Sequence, residues 1–420
     1  MSDDNNVSYL DRTTTSGNVT TTTINADEYL QSLNDEFALT ILPTIVFLAA
    51  ILVVGFVGNI IVCYIYLAKF KVSTTRCFVV TLALVDLLTC CIAIPGDVFD
   101  LRENYTFRNV ALCKVLSFCN SFSTMASGAV LIAIATDRYM KICKPLAKQM
   151  SITSAKVAVG LSCVTSVFVS WPNFILYGAR TVLTEYPDIN GTDCSTDDRF
   201  IGTIYPLLYN GFQFLLFIIS VFVIIVLYLH IWRTVLKHVG LKEKKTELTS
   251  NKYIQQRVRI LLANVSSTSG SEMTPSAGKE LEVSKDGTRT ISTRLGEPIT
   301  DSVTNECDSK TQTSKAKRRT VKRSKSKREQ KARRTTFMLF LITLVFVLSF
   351  LPHLGLMAAR GIHKVMFDSL SPGATAAYNF FLRSYFINSA SNPIIYGFCN
   401  LRFRMECKAL FVQVFHTRRT

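Results

Sequence analysis

The stretch Cys113–Tyr139 reads CKVLSFCNSFSTMASGAVLIAIATDRY. It opens on a cysteine, runs for a helix length through mostly apolar residues, and closes on Asp137, Arg138 and Tyr139. Two adjacent opposite charges at the end of an apolar helix are costly unless paired or held at a water interface. Asp137 can serve as counterion to Arg138 while leaving guanidinium donors free for another partner. The same tripeptide also fits a plain helix end with snorkelling charges, so the rest of the chain has to decide.

Working outward, 420 residues that are 49% hydrophobic, with a mean hydropathy of +0.27, are too apolar for an ordinary soluble domain. Apolar runs cover roughly 41–67, 78–99, 113–136, 154–178, 204–232, 336–359 and 374–398. Each can cross a hydrocarbon layer of ~30 Å as a helix of ~20 residues. Several contain Pro, Gly or a polar residue, which a bundle tolerates and a lone span does not. The expected fold is all-α: a seven-transmembrane helix bundle.

The net charge of +17 is not a nucleic-acid signal, because of where it sits. Residues 1–40 carry seven acidic residues and one arginine, Arg12. Segment 68–76 has Lys69, Lys71 and Arg76 without an acid, whereas 179–203 is acidic through Glu185, Asp188, Asp193, Asp197 and Asp198. Twelve Lys/Arg lie in 315–334 against Glu329 alone. The positive-inside rule then puts the N-terminus outside and the C-terminus inside, and the expected location is the cell membrane, multi-pass, with the N-terminus extracellular and the C-terminus cytoplasmic. The sequons at Asn6, Asn18, Asn104 and Asn190 fall outside, as glycosylation requires, and that at Asn264 falls inside. No cleavable leader is read in 1–40, so the first helix is expected to be the anchor.

The expected organisation is a disordered, glycosylated extracellular tail over 1–40, then five spans over 41–232. A long basic cytoplasmic loop follows over 233–335, disordered at about 262–312, then two spans over 336–398 and a cytoplasmic amphipathic helix and tail over 399–420. The run Lys315 to Arg334 suits anionic lipid headgroups. Of twelve cysteines, only Cys113 and Cys194 lie near the oxidising face, which makes them the natural disulfide pair. Cys399, just before the amphipathic segment, and Cys407, within it, are candidate palmitoylation sites. No metal-ligand spacing occurs.

Inside the spans, Gly58 beside Asn59 suits close helix packing. Asp86 is ionisable at membrane depth and must face the interior, water or a cation. Pro95 is expected to kink the outer end of the second helix. The run Asn388 to Tyr396 gathers polar groups around Pro393, more than a structural helix needs.

Together these residues resemble a rhodopsin-like (class A) G-protein-coupled receptor, over all seven helices and the short helix after them. The resemblance rests on Asn59, Asp86, Cys113, Asp137, Arg138, Tyr139, Cys194, Tyr228, Phe346, Pro352, Asn392, Pro393 and Tyr396. The chain departs from the pattern at Ser162 or Cys163 (tryptophan expected), Ser220 (proline expected), Gly128 and Phe350 (tryptophan expected). No acid stands at the inner base of the sixth helix, so Arg138 is expected to rely on Asp137 alone. Asn120 replaces the amine receptors' aspartate, and no lysine suits a Schiff base.

The resemblance implies a ligand pocket drawing on Asp97, Asp100, Asn120, Arg180, His353, Arg360 and Arg383. The pattern is nearest to cholecystokinin and orexin receptors and implies a neuropeptide or peptide hormone. Arg383 could instead pair with Asp97, and Asp100 could cap a helix. Asp137, Arg138, Tyr139, Tyr228, Phe346, Phe350, Pro352, Asn392, Pro393 and Tyr396 are implied to couple binding to a heterotrimeric G protein, with arrestin, receptor kinases and membrane lipids as further partners. No cofactor is expected beyond an allosteric sodium ion held by Asp86, Ser127, Ser389 and Asn392, although Asp86 could instead bond to Asn59. A non-peptide small molecule is the alternative ligand. A seven-helix transporter is the alternative class, but no internal repeat supports it. No nucleophile–base set marks an enzyme.

Overall fold

The apolar runs become helices, and short polar residues set where they start. In a computed structural model, which describes residues 8–15, 18–266, 333–360 and 370–417, the spans are Leu42–Ala68, Thr74–Arg102, Val110–Cys143, Ile152–Leu176, Tyr205–Lys237 and Arg333–Arg360, followed by a divided seventh. Side chains at three starts accept an otherwise unpartnered backbone N–H: Ser73 from Arg76 at 3.2 Å, Asn109 from Leu112 at 3.0 Å and Ser151 from Ser154 at 3.0 Å. The chain forms two compact units, Met1–Thr234 with Ala332–Thr420, and Val235–Lys331.

Six helices, not seven, are long and apolar enough among the described residues to cross a membrane unaided. The run read as one helix over 374–398 is Pro372–Leu382, a 3-10 turn Ser384–Phe386 and Ile387–Cys399. The break falls at Arg383, whose guanidinium turns inward to Asp97 with Nε to Oδ2 at 2.5 Å. His353 of the sixth span donates through Nδ1 to the Leu382 carbonyl at 2.7 Å, and Ser384 Oγ donates to the Ser349 carbonyl at 2.7 Å. A break in mid-bundle survives because neighbouring side chains satisfy its backbone. These pieces complete the seven-helix bundle.

The second span is deformed ahead of Pro95. A π turn, Thr89–Ala93, separates Thr74–Leu88 from Ile94–Arg102, and the Ile94 N–H reaches back five residues to the Thr89 carbonyl. Proline offers no N–H and its ring crowds the carbonyl four residues back, so the preceding turn widens. Gly58 lets the first span meet the seventh: a Cβ there would lie 2.7 Å from both Pro393 Cβ and Cγ.

The expectation of a disordered tail over 1–40 is corrected for residues 8–15 and 18–40. Strands Ser8–Thr15 and Asn18–Asn25 pair antiparallel, and Ala26–Thr40 is a helix capped by Asn25, with Asp27 and Glu28 in its first turn. Leu30 and Asn34 of this helix are buried, so composition misled here: a few well-spaced residues suffice to dock it. The loop expected from 233 begins as helix, because the fifth-span helix continues to Ser266. Asn6, the segment 267–332 and so most of the basic run lie outside the described residues.

Candidate ligand cavity and inner switch

The disulfide Cys113–Cys194 ties the third span to a hairpin, Tyr177–Leu183 paired with Asn190–Thr196. Phe107 N–H donates to the Thr192 carbonyl at 2.9 Å and Thr192 N–H to the Tyr105 carbonyl at 2.8 Å, joining the hairpin to the loop before the third span. The Ala26–Thr40 helix fastens the same loop. Asn34 Nδ2 donates to Thr106 Oγ1 at 2.8 Å and its Oδ1 accepts the Tyr105 N–H at 2.9 Å. Asp35 pairs with Arg102 at 2.5 Å and Asp27 with Arg108 at 2.7 Å, while Tyr29 packs edge-on against Tyr186.

Below the hairpin lies a cavity of about 270 Å³. Its polar lining includes Asn120, Asn210, Gln213, Tyr177, His353 and Tyr385, and its apolar lining Met125, Phe217, Phe350 and Met357. Asn120 Nδ2 donates to Tyr385 Oη at 2.8 Å. Gln213 Nε2 donates to Tyr209 Oη at 2.6 Å and Ser121 Oγ at 2.7 Å, and Asn173 Nδ2 donates to Tyr209 Oη at 2.7 Å. These bonds cross-link the third, fourth and fifth spans. With Nδ1–H given to Leu382, a neutral His353 keeps Nε2 as an acceptor.

Of the seven residues read as pocket-forming, Asn120 and His353 line this cavity; Asp97, Asp100, Arg180, Arg360 and Arg383 do not. Arg383 and Asp97 are partners of one another, and Arg383 Nη1 also donates to Asn379 Oδ1 at 2.7 Å. Arg180 stands opposite Asp193 in the hairpin register, and Arg360 Nη1 donates to Tyr378 Oη at 3.0 Å. Asp100 Oδ1 and Asp193 Oδ1 are buried without a hydrogen-bond partner among the described residues. Burial pushes the Asp193 carboxyl up to about 6, against the opposing pull of Arg180 and Arg360. Asn210 and Gln213 were missed by sequence reasoning. Two amides three residues apart in an otherwise apolar run were the available signal.

Toward the other end, Tyr385, Phe350 and Phe346 stack in series, with centroids 5.4 and 4.8 Å apart, and Phe217 packs on both phenylalanines. Pro352 lies within the sixth span, two residues beyond Phe350. Asn392 Nδ2 donates to Asp86 Oδ2 at 2.7 Å, leaving Asp86 Oδ1 without a partner among the described residues. The alternative bond from Asn59 to Asp86 is corrected: Asn59 Nδ2 donates to the Gly55 carbonyl at 2.9 Å and the Ser389 carbonyl at 2.8 Å. Ser127 and Ser389 border a cavity of about 20 Å³, together with Ser123, whose hydroxyl is buried and unpartnered among the described residues.

At the far end Arg138 is 5% exposed and Asp137 fully buried, 2.5 Å apart. The expectation that Arg138 relies on Asp137 alone is incomplete. Arg138 Nη2 also donates to Thr75 Oγ1 at 2.6 Å, and Lys141 Nζ bridges Asp137 at 2.8 Å and Thr74 Oγ1 at 2.6 Å. Tyr139 packs edge-on to His230, and Tyr228 Oη lies 3.4 Å from Thr343 Oγ1. Tyr396 is fully buried between Tyr66 and Phe403, its hydroxyl unpartnered among the described residues. Leu401–Thr417 is the helix expected after the seventh span, with Cys407 on it and Cys399 just before it, both half-buried.

A family model described as 7 transmembrane receptor (rhodopsin family) matches residues 58–396. The neuropeptide Y receptor type 6 of Mus musculus is 28% identical over 254 residues, covering 58% of this chain and 67% of that protein.

Proposed function

Because the chain belongs to the rhodopsin family of seven-transmembrane receptors, we propose that it binds an extracellular peptide and activates heterotrimeric G proteins. The hairpin end then faces outside and the Arg138 end the cytoplasm, as the charge distribution requires. One observation carries the reading: the Tyr385–Phe350–Phe346 stack runs from the wall of the cavity toward the end where Arg138 is sequestered. A ligand pressing on Phe350 shifts the resting equilibrium by its differential affinity for the repacked state. The sixth span then hinges at Pro352 and Arg138 is released.

The cavity has room for one end of a peptide, not its whole length. Because its lining is uncharged, the inserted end is uncharged, with amide or aromatic groups facing Asn120, Gln213 and His353. Cationic side chains of the peptide suit Asp100 and Asp193, and its carboxylates suit Arg180 and Arg360. The mouse relative, itself a neuropeptide Y receptor by name, supports a peptide ligand. Kinship with cholecystokinin and orexin receptors is a narrower proposal, resting on Pro95 and the acidic hairpin.

Asp86, Ser127, Ser389 and Asn392 offer the hard oxygen ligands that a sodium ion takes, and the orphaned Asp86 Oδ1 fits that role. Such an ion would supply the missing countercharge. Asn18, Asn104 and Asn190 suit glycosylation on the outer side, and Cys399 and Cys407 palmitoylation on the inner. Arrestin and receptor kinases complete the proposed partners.

The test is nucleotide exchange by purified G proteins on receptor in nanodiscs, with neuropeptides screened as agonists. Agonist-dependent exchange that is lost in Arg138→Ala supports the reading. Exchange indifferent to Arg138→Ala, for every G protein, overturns it.

A further inference from the structure

Two departures from the family pattern, Gly128 and Ser220, lie on the wall of a second cavity that the ligand reading does not use. It measures about 190 Å³ and is enclosed by the third, fourth, fifth and sixth spans. Met125, Ile132, Val169, Leu216, Phe217 and Phe346 supply most of its wall. Gly128 leaves the floor open, since even a Cβ there would only come into ordinary contact with Phe346 Cζ, at 3.5 Å.

Three of the four hydroxyls on the wall are already spent on their own helices. Thr165 Oγ1 donates to the Leu161 carbonyl at 2.8 Å, Ser166 Oγ to Ser162 at 2.7 Å and Ser220 Oγ to Leu216 at 2.7 Å. A buried water needs two to four polar partners, and apolar cavities of about 150 Å³ stay dry yet admit small hydrocarbons. Thr165 is itself exposed, and it shares the outer face of the fourth span with Phe168, 70% exposed; Phe222 on the fifth span is 65% exposed. Such faces can only contact acyl chains in a bilayer. The medium at the mouth of this cavity is therefore hydrocarbon.

We propose that this cavity is a binding site for the terminal segment of a membrane lipid's acyl chain, which enters between the fourth and fifth spans and packs against Phe346 and Phe217. The site is independent of which extracellular ligand the receptor takes. Its occupant fills the space left open at Gly128, which has no side chain, and at Ser220, where the family pattern has a proline. Because Phe346 and Phe217 also pack on Phe350, the chain becomes part of the resting arrangement of the sixth span.

The experiment uses the full chain in phosphatidylcholine nanodiscs doped with phosphatidylcholine carrying a diazirine near the acyl terminus. Photolysis and peptide mass spectrometry then map carbene insertion. Label is expected on Gly128, Ile132 and Ser166, inward-facing positions, as well as on lipid-facing Phe168 and Phe222. Filling the cavity with Ser166→Leu, or independently with Ala129→Leu, is expected to reduce the inward label at least five-fold while Phe168 and Phe222 keep theirs, which also reports that the fold is intact. Inward label no higher than at Val130 and Leu131, buried residues off the cavity, overturns the proposal. So does inward label that survives both filled variants.

Discussion

Thr75→Val tests whether the second span holds Arg138 at rest. The substitution keeps the shape of the side chain and removes the hydroxyl that accepts from Arg138 Nη2 at 2.6 Å. Hydrogen bonds to charged groups contribute about 1.5–3 kcal/mol. Asp137 still holds the guanidinium at 2.5 Å, so the lower end of that range applies. A loss of about 1.4 kcal/mol is a tenfold change in an equilibrium. A receptor population with about one molecule in a hundred active at rest would then have about one in ten, provided the bond is absent from the active state. Basal nucleotide exchange in nanodiscs, normalised to receptor amount, is expected to rise about five- to tenfold. Thr74→Val is the internal comparison: its partner Lys141 has a side chain 34% exposed, and the ammonium can turn to water, so a rise below about twofold is expected. Basal exchange unchanged in Thr75→Val, or raised equally by both variants, would refute the reasoning.

Other substitutions probe the opposite end. Asn34→Ala removes two bonds from a fully buried amide and should cost about 2–4 kcal/mol of docking energy for the Ala26–Thr40 helix; faster protease cleavage before residue 41 and weaker agonist affinity are the expected readouts. Arg383→Ala strands Asp97 in a largely buried position, and breaking such a pair from one side costs about 3–5 kcal/mol. Thermal denaturation should show that loss, and a smaller one for Arg383→Met combined with Asp97→Leu. The Asp193 carboxyl, raised to about 6, binds its proton more tightly folded than unfolded, so it opposes folding above pH 6 and its penalty fades as pH falls toward 4. Asp193→Asn should therefore raise the melting temperature at pH 7.5, change little at pH 4.5, and flatten the profile between.

What the sequence could show depended on how far apart the interacting residues lie along the chain. The spans were legible because an apolar run carries its own reason to be a helix in a bilayer, and the pairing of Arg138 with Asp137 was legible because the two are neighbours. Thr75, which completes that arrangement, lies 63 positions away, and nothing about a threonine at the start of a helix announces an arginine opposite it. The divided seventh helix was hidden for the same reason. Its local sequence is apolar enough for one continuous span, and the break is stabilised by Asp97, 286 residues before Arg383, and by His353. Charge drew attention to Asp97, Asp100, Arg180, Arg360 and Arg383 as ligand contacts, yet none of the five lines the cavity, and Arg383 and Asp97 are spent on each other. The residues left to face the cavity are the neutral amides and aromatics, whose polarity is low enough to pass as packing when only the chain is in view. Gly128 and Ser220 show the converse case: a missing side chain is visible in the sequence only against an expectation of what should stand there, and what its absence creates becomes visible only when four helices have closed around it.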